Sequence, residues 1–140
     1  MSSRLIELFL FDIVVAINKI NYVVSKFNSA DALKHDFMAW DTVVREFEII
    51  GEASKNLLKS DLLEKDYRSV VDFGNVLIHE YFGIDEDEVW NIIHHQLHSF
   101  EALVITKINT IDLKLKQEII DALIEENRHL SFVIDKLEQI

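Results

Sequence analysis

A chain of 140 residues with no proline and only three glycines has few means of making the tight turns that strand-rich folds require. Hairpins and sandwiches need such residues every few positions, because positive φ or a preset φ must be supplied at each reversal. Leu, Ile, Glu, Lys and Ala, all good helix formers, run through the whole sequence instead. The expectation is therefore all-α. A hydrophobic fraction of 49% is enough to close one core at this length. No linker, internal repeat or low-complexity tract interrupts it, so residues 1–140 read as a single domain.

Apolar spacing predicts an up-and-down bundle of about five helices. The first covers Leu5 to Phe27, with Phe9, Ile13, Ile17, Ile20 and Val24 on one broad stripe. It ends at Asn28-Ser29-Ala30-Asp31. A second runs from about Asp31 to Leu58 through Leu33, Phe37, Trp40, Phe47 and Ile50, and holds Gly51 in its interior. The third is expected from about Asp66 to Tyr81, closing near Gly83, a helix C-cap residue. Asp85-Glu86-Asp87-Glu88 opens the fourth, since carboxylates favour the positive end of a helix dipole, and it continues to about Ile108. Thr110 or Asp112 caps a fifth at about 111–140. Helices one, two and five carry more apolar surface than a small bundle hides, which points to a dimer face.

Composition also narrows the function. Without cysteine there is neither a disulfide framework nor a thiolate metal site. The N-terminal apolar residues are interrupted by Glu7 and Asp12, unlike a signal peptide, and no apolar run approaches the roughly 20 residues of a membrane span. A cytoplasmic protein is expected. The formal net charge of −11 opposes general electrostatic grip on nucleic acid, so an RNA substrate would have to meet a local basic cleft or a dimer groove.

Several residues suggest chemistry. His94, His95, His98 and Glu101 resemble a metal cluster, because His94 and His98 are one helical turn apart, but no complete ligand set is evident and a solvated polar face beside the Ile93, Leu97 and Phe100 stripe accounts for them better. Neither metal nor cofactor is expected. Ser54 and Ser99 lack a nucleophile signature, and there is no glycine-rich phosphate loop. The informative stretch is Phe73-Gly74-Asn75-Val76-Leu77-Ile78-His79-Glu80-Tyr81-Phe82-Gly83. His79 titrates in the range useful for proton transfer, and Asn75, four residues earlier, shares its face on a continuous helix. Tyr81 lies about 200° around from His79. As structural residues, His79 could be a partly buried histidine, Asn75 polar surface and Tyr81 packing near the helix end. Gly74 weakens a helix interior by roughly 0.5–1 kcal/mol relative to alanine.

This stretch, with Arg45-Glu46-Phe47-Glu48-Ile49-Ile50-Gly51-Glu52-Ala53 upstream, resembles the signature of HEPN-domain ribonuclease toxins of the HepT-like family across about residues 1–108. In that family an arginine, usually followed by asparagine, precedes the catalytic histidine by five positions, and a tyrosine follows two later. The resemblance implies metal-independent RNA cleavage by 2′-hydroxyl attack, with His79 as the catalytic histidine. It implies a homodimer in a type VII-like toxin–antitoxin system, whose partner is a minimal nucleotidyltransferase antitoxin that transfers AMP to the residue matching Tyr81. The RNA implied is tRNA or mRNA. Gly74 departs from the pattern, standing where the arginine belongs. Arg68 is about 16 Å from His79 along a helix axis and is a poor substitute; Arg45 lies on another helix. The departure puts catalysis in doubt and keeps open a non-catalytic HEPN helper subunit that binds a nucleotidyltransferase, or a plain helical dimerisation module.

Overall fold

A computed structural model describes residues 5–60 and 85–140. Among them every regular element is a helix, in the order α1 (Ile6–Val24), α2 (Ala30–His35), α3 (Phe37–Lys59), α4 (Glu86–His95), α5 (Leu97–Ile108), α6 (Leu113–Glu126) and α7 (Ser131–Gln139). The all-α class expected from composition is what forms. The expected third helix, Asp66 to Tyr81, lies outside the described residues.

α1 is the centre of the bundle and packs against α3, α5 and α7. Its stripe of Leu10, Phe11, Ile13, Val14, Ile17 and Ile20 is fully buried. Val43, Phe47, Ile50 and Leu57 meet it from α3, and Leu97, Val104 and Ile108 from α5. The apolar stripe of α1 is therefore consumed inside the bundle; among the described residues the exposed large apolar side chains are Leu5, Tyr22, Phe37, Met38, Leu103 and Leu113.

Three expected helices are each broken once. At Asp36 the backbone is extended, and Asp36 Oδ1 accepts a hydrogen bond from Ala39 N at 3.0 Å. An aspartate that can cap a new helix competes with continuing the old one, so α2 and α3 replace the single second helix. The second break, at Gln96, separates α4 from α5 without a side-chain cap. The third follows Asn127, whose Nδ2 donates to Leu123 O at 2.8 Å and closes α6. Of the two expected caps for the last segment, Asp112 serves: its Oδ2 accepts from Leu115 N at 3.0 Å.

The α6–α7 hairpin is fastened to α1 by a buried polar contact. Glu101 of α5, 6% exposed, accepts a hydrogen bond from Asn18 Nδ2 at 2.8 Å and pairs with Lys136 Nζ of α7 at 3.4 Å. A stacked Tyr22–Phe132 pair, with centroids 4.2 Å apart, adds an apolar contact between the same helices.

Candidate functional site

Gly74, Asn75, His79 and Tyr81, together with Arg68, lie outside the described residues. What is described is their frame. α3 is capped at Ser60, and α4 is capped by Asp85, whose Oδ1 accepts from Asp87 N at 2.9 Å, with Glu86, Asp87 and Glu88 in its first turn. The acidic run thus opens a helix, as its composition suggested. α4 is seated on α2. Lys34 sits between them, 3.9 Å from Glu86 Oε2 and 4.6 Å from the centroid of the Trp40 ring.

The second-helix signature divides into two faces. Phe47, Ile50, Gly51 and Ala53 are buried in the core, where an absent side chain at Gly51 leaves room for close packing, whereas Arg45, Glu48 and Glu52 are exposed. Lys55 and Lys59 share that outer face of α3. The face carries both signs of charge.

The histidine cluster does not assemble. His94, His95 and His98 are exposed, but Glu101 is buried, and the break at Gln96 removes the continuous helix on which His94 and His98 would meet. His94 Nδ1 is 2.8 Å from Trp90 O, and its ring lies against the Trp90 ring. No group of three or more His, Asp or Glu suited to a metal ion occurs among the described residues.

A feature that sequence reading missed is a cavity of about 340 Å³ between α1, α3 and α6. Asp12, Val15, Ala16 and Lys19 line it from α1, and Glu46 and Ile49 from α3. Leu123, Glu126, Asn127 and His129 complete it from the end of α6 and the turn beyond. Glu46 is only 6% exposed. Burial pushes its carboxyl above the ordinary value of 4.5, and the positive charges of Lys19 and Arg45 oppose that rise. Its position beside Arg45 in the family-like signature gives no sign of this, because helical spacing alone does not distinguish a buried glutamate from a surface one.

The shift has a sign. The folded chain holds the Glu46 proton more tightly than the unfolded chain, so its contribution to stability is fully present below the unfolded value and is lost as pH rises through the folded one. Glu46→Gln should match the parent in acid and exceed it by about 1 kcal/mol at neutral pH, the scale for a poorly satisfied buried polar group. Urea unfolding at several pH values measures the gap. A gap that does not widen as pH climbs above 4.5 contradicts the assignment.

Comparison with known proteins agrees with the helical architecture. Residues 13–106 match the family model described as Ribonuclease HepT-like. The proposed RNase MJ1380 of Methanocaldococcus jannaschii is 33% identical over 97 residues, covering 66% of this chain and 87% of that protein. A second proposed RNase of the same organism, MJ1216, is 32% identical over 106 residues, covering 69% and 82%. A protein of Thermococcus cleftensis carrying the name ribonuclease HepT on a provisional basis is 36% identical over 63 residues, covering 43% and 57%. No solved structure gives a significant match. This all-helical chain belongs to the HepT-like ribonuclease family. Among the described residues, no helix is long and apolar enough to cross a membrane.

Proposed function

We propose that the chain is a HepT-like toxin of a type VII-like toxin–antitoxin system, a metal-independent endoribonuclease of the cytoplasm acting on tRNA or mRNA. The observation that carries this reading is the His79 motif, which lies within the family-matched segment 13–106. In the reaction the ribose 2′-hydroxyl attacks the adjacent phosphorus, the 5′-oxygen leaves, and a cyclic phosphate remains. His79 moves the proton, and Asn75 orients the imidazole or touches the phosphate. The phosphorane also needs a permanent cation, and Gly74 supplies none. This version of the chain is accordingly impaired. A homodimer juxtaposing two copies of the motif would create the local groove that a chain of net charge −11 needs to hold RNA.

Control falls to a nucleotidyltransferase antitoxin that transfers AMP from ATP to the Tyr81 hydroxyl, releasing pyrophosphate. Incubation with ATP and a minimal nucleotidyltransferase should add one AMP, located at Tyr81 by mass spectrometry and absent from Tyr81→Phe. Residual cleavage of total RNA in EDTA should disappear in His79→Ala. Cleavage unchanged by His79→Ala would remove the catalytic assignment. Gly74 favours one second reading, a non-catalytic HEPN helper that binds the nucleotidyltransferase and shapes its substrate site.

A further inference from the structure

Charge is spread over most of the described surface, but not over the corner that α4 and α5 form. Residues 89–111 hold only Glu101 and Lys107, where a chain that is 28% charged would place about six such residues. Glu101 is buried and turned inward to Asn18 and Lys136, and Lys107 is half-buried at the far end of α5. No carboxylate is therefore exposed between Glu88 and Asp112. By contrast, the outer face of α3 exposes Asp41, Arg45, Glu48 and Glu52, and that of α6 exposes Lys114, Glu118, Asp121 and Glu125.

The uncharged residues form one face. On α5, His98, Ser99, Ala102, Leu103 and Thr106 fall within an arc of about 140° at roughly 100° per residue, and each of them is exposed. The opposite arc, Leu97, Phe100, Val104 and Ile108, is buried against the bundle. Leu103 leaves 44% of its surface in water. His94 and His95 stand at the end of α4, where the two helices meet. His94 is already held in place, with Nδ1 2.8 Å from Trp90 O and its ring against the Trp90 ring, so docking there would order little further.

Charge decides what such a face fits. A polyanion needs cations, and residues 89–106 contain neither lysine nor arginine. A basic partner needs carboxylates, and none is exposed here. The matching surface is one that is itself uncharged, since the centres of protein–protein interfaces are depleted in charge. A chain of net charge −11 repels its own copy wherever carboxylates face one another, and on this corner two copies meet without that repulsion.

We propose that the α4–α5 corner is the face through which two copies of the chain associate. The two α5 helices cross at a two-fold axis near Ala102, and each covers the other's His98, Ser99, Leu103 and Thr106. Two-fold symmetry requires the same patch on both copies, and the small side chains at 99 and 102 let the backbones approach. This deepens the homodimer of the proposed function and rests on that homodimer, not on RNA cleavage. It also moves the dimer face away from the first helix, whose apolar stripe is buried inside the bundle.

Sedimentation velocity on the full chain at micromolar concentration tests the assignment, and the parent is expected to be dimeric. Ala102→Glu sets like charges against each other at the axis and should raise the dimer Kd by about ten-fold or more. Ala122→Glu makes the same change on the exposed side of α6 and should leave the Kd unaltered. Ala102→Lys should weaken the dimer as Ala102→Glu does, and an equimolar mixture of the two should restore association, because opposite charges then meet across the axis. Equal effects at 102 and 122, or charged variants that do not pair with each other, would overturn this face while leaving the homodimer standing. A monomeric parent would overturn both. If that monomer also lost affinity for RNA in Ala102→Glu, the face would belong to RNA instead.

Discussion

Gly74→Arg is expected to raise RNA cleavage by about two to three orders of magnitude, the typical effect of a single preorganised donor facing developing charge. The reaction passes through a phosphorane whose equatorial oxygens gain negative charge, and His79 alone manages protons rather than that charge. A guanidinium is permanently cationic and offers two parallel N–H donors to phosphate oxygens. Gly74→Lys should therefore recover only part of the activity, and Gly74→Arg combined with His79→Ala should lose even the residual cleavage of the parent. Gel assays in EDTA, with detection of cyclic phosphate ends, measure all four chains. A parent as active as Gly74→Arg, or a silent Gly74→Arg chain, would leave the helper reading in possession.

The largest loss of stability is expected from Phe11→Ala. Phe11 is fully buried on the central helix α1. Truncating a buried phenylalanine costs about 3–5 kcal/mol through lost transfer energy and the cavity left behind. Domains of this size are commonly stable by only about 5–15 kcal/mol, so the variant should unfold at a much lower urea concentration or fail to fold at ordinary temperature. Leu113→Ala, at a side chain 77% exposed, serves as the control and should shift the midpoint little. Equal effects at the two positions would contradict the placement of α1 at the centre.

The fold class and the central helix were legible because helical periodicity is strong where one face is wholly apolar, as from Leu10 to Ile20. The breaks were not. Asp36 reads equally well as one more polar residue on a helix surface, and its capping role depends on where the chain must turn to bring α3 against α1. Gln96 carries no local turn signal, and tertiary packing of α4 on α2 and of α5 on α1 accounts for the break there. Glu101 stands beside three histidines in sequence, but burial turns it toward Asn18 and Lys136. The site divides in the same way. His79, Asn75, Tyr81 and the departure at Gly74 follow from a linear motif, whereas the cavity around Glu46 joins positions from three helices and has no local pattern.

Sequence similarity and cooperative folding draw different boundaries on this molecule. The family-matched segment stops at residue 106, but the buried carboxylate of Glu101, inside that segment, finds its cation on Lys136, outside it. Excising the recognised unit would remove that cation and, with it, Val133 and Leu137 of the shared core. The recognised segment and the packed core thus do not coincide: a trimming that respects the former takes away part of the latter.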